Sequence, residues 1–584
     1  MKRITRLTAI LGLIAAAASG GQEKVAPDLR NVPAQEVRQV LLRAKDDANG
    51  DAVTTRLKNN GKVKVLYPKT KLLLADLSGG DIQTLSTDAG VGYMSPDRDV
   101  KGSLDYAALA TYANVAWSNN WTGAEIGIAV LDSGVLLNSD DLVGRIAGSS
   151  NLVPGQTDAT DKYGHGTHVA GIIAGTGAKS TGKDFKATIR GIAHGSSLYV
   201  YRVLDANGRG KDSYVIDAIE KVIDYNEKQM AKGKPRPIHV INLSLGRPIS
   251  ESFAKDPLCL AVEKAWQSGI VVVVAAGNYG RENTLGNQGY GTITSPGNHP
   301  YVITVGAMNT KKTASRADDV IASYSSKGPS YGDHVIKPDI VAPGNLVASI
   351  NAKDATLSKG NPNNRLLESD FKVNGGTNRS DLYFRLSGTS MATPMVSGSV
   401  ALLLQKNRNL TPDQVKAILL LTAGKNFPAR STSYDSATNQ TFESQYDMFT
   451  IGAGYLNIAD ALAFSGQVPQ GRAISPFAVV NPETGKVNMV TSYSALWGES
   501  ALWGESALWG ESALWGESAL WGESTVWGSN VLLNGTSALW GESAVWGTNS
   551  TQGYSALWGE SALWGESALW GEGSLQAASI NGDK

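Results

Sequence analysis

Five apolar runs dominate the middle of the chain, and stretches of helical pattern lie between several of them. The runs are EIGIAVLD, SLYVYRVLD, IHVINLSLG, IVVVVAAGN and YVITVGA, and the helical stretches include SYVIDAIEKVIDYNEKQM and FAKDPLCLAVEKAWQSG. Strands that are apolar throughout, rather than at every second residue, are typical of a parallel sheet covered on both faces. The pattern therefore predicts a doubly wound parallel α/β sheet within a domain of residues 102–464.

Residues 22–101 have shorter patterns and indicate a separate, small α+β domain. KVKVLYP and KLLLADL predict strands, and PAQEVRQVLLRAKDDANGD predicts a helix. Inside the larger domain, Ala352–Asp381 is polar and rich in asparagine, which predicts a surface excursion.

Residues 1–20 have the features of a secretory signal peptide. Three basic residues precede a short apolar run, Leu7–Ala18, and cleavage after Ala18, with Ala16 two residues earlier, fits the small-residue rule. The run is too short to span a bilayer. We expect a protein that is secreted to the exterior, the periplasm or the cell surface, without a transmembrane anchor.

Charge and cysteine content exclude some classes of partner and fold. The 53 Lys and Arg residues balance the 53 Asp and Glu residues, so no charge excess points to nucleic acid as a partner. The single cysteine, Cys259, excludes an internal disulfide framework, and its helical apolar surroundings predict a buried structural thiol.

Four polar residues lie at strand ends or helix starts, where open α/β sheets collect their functional groups. Asp132 ends EIGIAVLD, Asn278 ends IVVVVAAGN, His165 lies in DKYGHGTHVAG and Ser390 lies in SGTSMATPMVSGSVALLLQ. An imidazole can take the proton of a serine hydroxyl while a carboxylate fixes its tautomer. An asparagine amide can donate to the oxyanion of a tetrahedral intermediate. Together these residues predict a nucleophilic acyl-transfer site, with the Ser390 N–H as a second oxyanion donor.

The chain order of aspartate, histidine and serine on a parallel sheet resembles that of the subtilisin-like serine proteases. The motifs VLDSGV, HGTHVAG and GTSMATP carry the resemblance, and INLSLG and AAGN support it. The resemblance implies that Asp132 orients the imidazole, that His165 is the general acid and base, and that Ser390 is the nucleophile. It also implies that Asn278 is the oxyanion donor, and that His168 is structural.

The resemblance further implies which residues bind substrate. These residues carry no charge, which predicts a broad or apolar specificity: Ser244, Leu245 and Gly246 at the cleft edge, and Ala275, Ala276, Gly277, Asn278 and Thr294–Gly297 around the primary pocket. Arg247 departs from the glycine that is usual after SLG. It either narrows or charges the cleft rim, or it points outward into solvent.

Asp141, in NSDDLVG, falls where many members of the family place a calcium ligand, and a carboxylate suits that ion. The loop expected to supply other ligands, AGTGAKSTGKDFKATIRG, is longer than usual and lacks the familiar asparagine pattern. A structural calcium is therefore one alternative, and a turn-capping role for Asp141 is the other. The chemistry itself requires no cofactor.

By the same resemblance, residues 22–101 are a propeptide that assists folding, occupies the cleft and is cut by the enzyme near Val100–Asp105. The alternative is a permanent binding module.

A hexapeptide repeat, SALWGE, fills residues 494–573, between a Gly- and Pro-rich linker at 465–493 and a polar tail at 574–584. The tract holds eleven of the 14 tryptophans, and no Lys or Arg lies between Lys486 and Lys584. Short strands stacked as a β-solenoid are one hypothesis, and a disordered tract is the alternative. Evenly spaced aromatic rings suit contact with glycans or a cell surface, or self-association.

The sequence as a whole predicts a secreted serine endopeptidase that processes its own precursor and hydrolyses protein or peptide substrates. Two alternatives stay open at this point. One is a surface adhesion or structural protein built on the repeat with an inactive α/β scaffold, and the other is a processing protease of narrow substrate range.

Overall fold

The computed structural model divides the chain into two compact units, with the boundary between Lys101 and Gly102. It describes residues 24–26, 29–45, 47–67, 72–97, 106–283, 287–435, 439–466, 471–480, 487–490 and 582–583. The predicted signal peptide, the cleavage segment Val100–Asp105 and the SALWGE repeats lie outside these residues.

The described residues of the first unit form a four-stranded antiparallel sheet with two helices. The elements are β1 (Val37–Ala44), the helix Ala48–Asn59, β2 (Val63–Tyr67), β3 (Leu72–Ser78), the helix Gly79–Ser86 and β4 (Val91–Pro96). The strand order is β2-β3-β1-β4, and β1 pairs with both β3 and β4.

The prediction of a helix over PAQEVRQVLLRAKDDANGD is wrong, because its central residues, Val37–Ala44, form β1. Val40, Leu42 and Ala44 are buried, which is the two-residue period of a strand. Leu41 is also apolar and obscures that alternation in the sequence. The helix begins only at Ala48, after Asp47 caps it by accepting a hydrogen bond from the Gly50 N–H.

The second unit is built on an eight-stranded sheet in the order β11-β10-β9-β8-β5-β7-β6, with β12 also paired to β10. The strands pair in parallel except β10 with β11, so the predicted parallel α/β sheet is confirmed and gains an antiparallel edge. The strands are β5 (Gly127–Asp132), β6 (Ile146–Asn151), β7 (Ser197–Arg202), β8 (Val240–Leu243), β9 (Val271–Ala275), β10 (Ile303–Asn309), β11 (Val320–Ile321) and β12 (Ile340–Pro343).

Helices pack against this sheet. The helix Asp212–Met230 buries Val215, Ile219 and Val222 along one side, as an amphipathic helix should. The α-helices of this unit are Tyr106–Ala110, Ala113–Ser118, His165–Ala174, Asp212–Met230, Pro257–Gln267, Thr356–Gly360, Glu368–Phe371, Thr389–Lys406, Pro412–Thr422, Met448–Ile451 and Ile458–Ala463.

The stretch Ala352–Asp381 is not a mere surface excursion. It forms two short α-helices and the strand β14 (Arg365–Leu367). This strand belongs to a small sheet with β13 (Val347–Ile350) and β15 (Arg379–Leu386), in the order β13-β15-β14. The stretch also buries Leu366 and Phe371 against Ile189 and neighbouring apolar residues. Because the stretch is mostly polar, its composition did not indicate that these few apolar residues would be buried. The remaining strands are β16 (Arg430–Asp435), β17 (Gln440–Gln445), β18 (Phe477–Val480) and β19 (Val487–Val490).

Two smaller expectations concern the membrane and the cysteine. Of the helices described above, none combines the length and the apolar character needed to cross a bilayer.

The Cys259 thiol is fully buried in the helix Pro257–Gln267, and burial raises its pKa well above the usual value. A thiol in that state is a structural group, as predicted.

Candidate active site

Asp132 and His165 are in direct contact. Asp132 is the last residue of β5 and is fully buried, and His165 is the first residue of the helix His165–Ala174. The His165 Nδ1 lies 2.8 Å from Asp132 Oδ1 and 3.0 Å from Oδ2, so the ring N–H donates to the carboxylate. This bond fixes the tautomer and leaves Nε2 as the basic nitrogen of the neutral ring.

The same pair shifts the pKa of His165. Burial of the ring is the largest influence and lowers the pKa. The charge and hydrogen bond of Asp132, together with the charge of Asp161, outweigh burial, so the pKa of His165 is raised above the ordinary 6.5. The protonated form of His165 is therefore stabilised, which is what a general base requires after it has accepted a proton.

Asp161 is a buried residue that the sequence-based prediction missed. Its Oδ1 accepts from the Ser133 hydroxyl at 2.9 Å and the Gly164 N–H at 2.7 Å, and its Oδ2 accepts from the Thr167 N–H at 2.8 Å. These bonds join the loop after β5 to the first turn of the helix that begins at His165. An aspartate four residues before that histidine, at a helix start, was the available signal.

Ser390 and Asn278 lie on neighbouring segments joined by Thr389. Asn278 follows β9, and Ser390 is the second residue of the helix Thr389–Lys406. The Thr389 N–H donates to Asn278 Oδ1 at 2.9 Å, and the Thr389 hydroxyl lies 3.1 Å from the same oxygen. Within the part of the chain that the structure describes, Asn278 Nδ2 and Ser390 Oγ are buried and have no hydrogen-bond partner.

Gly388 marks the point where the two predicted oxyanion donors converge. A Cβ built on Gly388 would lie 3.3 Å from Asn278 Nδ2 and 3.6 Å from the Ser390 backbone nitrogen. Gly388 also has φ +149°, which side chains rarely adopt. The glycine therefore leaves open a small space that faces both donors.

The helices that carry His165 and Ser390 pack against each other. No hydrogen bond reaches Ser390 Oγ from any described residue, so the expected bond from serine to histidine is not formed in this structure. Such bonds are often long until substrate binds. His168 is fully buried, and its Nε2 lies 3.1 Å from the Val347 carbonyl and 3.0 Å from the Phe384 carbonyl, in agreement with a structural role.

The residues predicted to bind substrate lie around Ser390, although not every side chain faces a cleft. The Ser244 hydroxyl donates to the Ser390 carbonyl at 2.9 Å, so it supports the backbone of the predicted nucleophile instead of facing the cleft. Leu245 is fully buried. Gly246 lies beside Thr294, because a Cβ there would come within 2.6 Å of the Thr294 hydroxyl.

The predicted pocket walls are neighbours. Ala275, Ala276 and Gly277 are buried at and just after the end of β9, and the Thr294 N–H donates to the Ala276 carbonyl at 3.0 Å. The segment Thr294–Gly297 thus runs alongside them without a charged side chain.

Arg247 neither charges the rim freely nor points into solvent. Its Nε donates to Asp212 at 2.8 Å and its Nη2 donates to Asp256 at 2.9 Å. Its backbone pairs with Ser295 in an antiparallel bridge. The guanidinium therefore fastens the cleft-edge segment to two neighbouring carboxylates.

The surroundings of Asp141 do not suit a calcium ion. Asp141 Oδ1 accepts from the Lys179 N–H at 2.8 Å and Oδ2 accepts from the Tyr383 hydroxyl at 2.7 Å. Calcium requires six to eight oxygen ligands, whereas both carboxylate oxygens face hydrogen-bond donors. In the described ranges, no group of three or more His, Cys, Asp or Glu side chains is placed to hold a metal ion. A structural calcium remains a prediction from the resemblance alone.

Comparisons with known proteins identify the family to which this chain is related. The model of the Subtilase family matches residues 123–453. The chain is similar to serine protease AprX of Bacillus subtilis (strain 168), with 37% identity over 364 residues, 61% of this chain and 75% of AprX. It is 33% identical to subtilisin E of the same strain over 367 residues, 62% of this chain and 78% of subtilisin E. A solved cold adapted subtilisin-like serine proteinase is 29% identical with a TM-score of 0.38, covering 53% of this chain and 85% of that one.

Proposed function

The chain belongs to the subtilase family of serine peptidases, and we propose that it is a secreted endopeptidase that forms an acyl-enzyme on Ser390 and processes its own precursor. The observation that carries the mechanism is a pair of buried atoms without partners among the described residues, Ser390 Oγ and Asn278 Nδ2. Asn278 Nδ2 and the Ser390 backbone nitrogen also lie beside the space that Gly388 leaves open. Buried polar atoms normally have partners, and exceptions are concentrated where a ligand or reacting group will sit.

In the proposed reaction, His165 Nε2 takes the proton from Ser390 Oγ as that oxygen attacks the carbonyl carbon of the scissile bond. Asp132 holds the ring through its Nδ1–H and stabilises the imidazolium that forms. Negative charge then develops on the carbonyl oxygen, where Asn278 Nδ2 and the Ser390 N–H donate to it. His165 next protonates the leaving amine. Water then attacks the acyl-enzyme as His165 takes its proton, and His165 returns that proton to Ser390 Oγ as the acid product leaves.

Hydrolysis of casein and of short peptides by the purified full-length protein tests this proposal. Ser390→Ala should abolish turnover, by about a millionfold where the equivalent change has been made in a subtilisin. Ser399→Ala is a matched control, because among the described residues its hydroxyl bonds only the Met395 carbonyl within the same helix. Retained hydrolysis by Ser390→Ala would refute the acyl-enzyme mechanism.

Self-processing and secretion rest on the sequence of residues 1–20 and on the small unit before Gly102. We expect secreted protein to begin near Val100–Asp105, and Ser390→Ala protein to retain the small unit. N-terminal sequencing of both proteins from culture medium measures this. An intact chain in active enzyme would instead favour a permanent binding module.

Broad or apolar specificity is part of the same proposal. The pocket walls Ala275, Ala276 and Gly277 carry no charge, and Arg247 is already paired with Asp212 and Asp256. Cleavage of a mixed peptide library, analysed by mass spectrometry, should give apolar or varied residues before the cut. A strict requirement for one residue or one sequence would favour a processing protease of narrow range.

Contact between the repeats and a cell-surface glycan is the last component of the proposal. It is supported by the eleven tryptophans at residues 497–570, since aromatic rings stack on sugars. Full-length Ser390→Ala protein should sediment with insoluble polysaccharide, and changing the repeat tryptophans to alanine should prevent this. Equal sedimentation of both proteins would exclude stacking as the cause.

A further inference from the structure

Two residues at the far end of the chain, Gly582 and Asp583, are inserted into the peptidase unit. Asp583 has only 1% of its surface exposed, although it is the penultimate residue of a chain of 584. A charged side chain is almost never buried to this extent unless it is paired. The partners of Asp583 therefore need an explanation.

Three donors hold the Asp583 carboxylate. Oδ1 accepts from Arg281 Nη2 at 2.7 Å and from the Ser323 hydroxyl at 2.6 Å, and Oδ2 accepts from the Ser323 N–H at 2.7 Å. Both oxygens are thus bound, one of them by a guanidinium. Charge-assisted hydrogen bonds of this kind are about twice as strong as neutral ones.

Asn345 holds the backbone of the same residue. Its Oδ1 accepts from the Asp583 N–H at 2.8 Å, and its Nδ2 donates to the Asp583 carbonyl at 2.8 Å. A side-chain amide that pairs with both backbone groups of one residue binds peptide specifically. Arg281, Ser323 and Asn345 are hereafter called the tail pocket.

Arg281 is fixed in place by partners other than the tail. Its Nη1 donates to Asp435 at 2.9 Å, its Nε donates to the Ser323 hydroxyl at 2.7 Å, and its guanidinium lies 4.9 Å from the centre of the Phe442 ring. The tail pocket is consequently preorganised for a carboxylate, which reduces the entropy lost on binding.

Gly582 fits the same pocket only because it has no side chain. Its φ is +61°, and a Cβ there would lie 2.4 Å from both Asn345 Oδ1 and the Ser387 hydroxyl. The pocket therefore accepts a glycine followed by an aspartate, which is the order in the terminal sequence NGDK.

The tail pocket connects the two segments that carry the proposed oxyanion donor and nucleophile. Arg281 follows Asn278 by three residues, and Ser387, which borders Gly582, precedes Ser390 by three. The Gly388 N–H also donates to the carbonyl of Gly344, the residue before Asn345.

We propose that the tail pocket is a binding site for a Gly-Asp peptide segment and that the chain's own C-terminus occupies it. The end that follows the SALWGE repeats is thereby fastened beside Ser387, three residues before Ser390, so the repeat tract is attached to the peptidase unit at both of its ends. Free acidic peptides of the same Gly-Asp type are ligands that would compete for the pocket.

Trimming by a broad-specificity carboxypeptidase tests the proposal on full-length Ser390→Ala protein, followed by intact mass. The wild-type tail should lose Lys584 and then stall at Asp583. Arg281→Gln leaves the tail sequence unchanged and should speed the removal of Asp583 at least about tenfold, since a charged hydrogen bond is lost.

Asp435→Asn is the matched control, because it removes the other carboxylate partner of Arg281 and leaves Asp583 bound. Gly582→Ala should also accelerate trimming. Because this substitution lies in the tail, its effect cannot result from misfolding of the tail pocket. Rapid trimming of wild type through Asp583 would overturn the proposal. So would equal acceleration by Asp435→Asn and Arg281→Gln, or trimming of Gly582→Ala at the wild-type rate.

Discussion

The Thr389 N–H donates to Asn278 Oδ1 at 2.9 Å, and this bond decides which end of the Asn278 amide faces the candidate oxyanion site. With Oδ1 engaged, Nδ2 faces the space beside Gly388. Because Thr389 immediately precedes Ser390, the proposed nucleophile and the proposed oxyanion donor are positioned by the same short segment.

Asn278→Leu should lower kcat by about 100- to 1,000-fold with little change in KM, the loss found when a subtilisin lacks its oxyanion asparagine. Leucine has a similar shape but donates no hydrogen bond. Steady-state kinetics on a peptide anilide measures both constants. An equal rise in KM with unchanged kcat would show that Asn278 binds the ground state instead.

Gly388→Ala should produce a similar loss of kcat by filling the site rather than removing a donor. The added methyl carbon would lie 3.3 Å from Asn278 Nδ2, where the oxyanion must enter. A positive φ also adds strain, so the thermal midpoint should be measured beside kcat. Wild-type kcat in a folded Gly388→Ala protein would contradict the proposed position of the oxyanion.

Asp132→Asn should reduce kcat by about 10⁴-fold, the loss found when the triad aspartate of a chymotrypsin-like protease is changed. The Asp132 charge raises the pKa of His165, so its removal should lower that pKa. Since the base must be neutral, the acidic limb of kcat/KM should move to lower pH in the variant. A pH profile of kcat/KM tests the direction, and a shift to higher pH would contradict it.

The sequence predicted groups that end continuous apolar strands, and it missed groups that act through tertiary contacts. Asp132 ends β5 and Asn278 follows β9, and the apolar composition of these two strands is enough to predict them. The role of Thr389 depends on its hydrogen bond to Asn278, which lies 111 residues away in the chain. Asp583 is 302 residues from Arg281, and no local sequence pattern predicts a pairing over such a distance.

Acid should destabilise the fold partly through His168. Burial, and then the charge of His165, lowers the pKa of His168 to about 3. Between the ordinary pKa of 6.5 and about 3, the unfolded chain binds a proton that the folded chain does not. Stability therefore falls as pH falls through this window, by up to about 1.4 kcal/mol per pH unit for this group.

His168→Gln keeps a side-chain N–H donor but cannot titrate, so its free energy of unfolding should depend less steeply on pH in that window. Denaturant unfolding at several pH values, on Ser390→Ala protein to prevent autolysis, measures both slopes. His194 and His239, with pKa values lowered to about 4, contribute equally to both proteins. Identical slopes would show that His168 does not carry the effect.

Removal of divalent cations should leave the region of Asp141 intact, because Tyr383 and Lys179 already bind both carboxylate oxygens. Tyr383→Phe, in contrast, leaves a buried acceptor without its partner and should cost about 1–3 kcal/mol. Calorimetry of Ser390→Ala protein with and without a chelator compares the two changes. Tyr434→Phe is the control, since its hydroxyl bonds Asn439 at the exposed hairpin of β16 and β17. A chelator-induced fall in the melting temperature that calcium reverses, and that Asp141→Asn abolishes, would instead assign a calcium ion to Asp141.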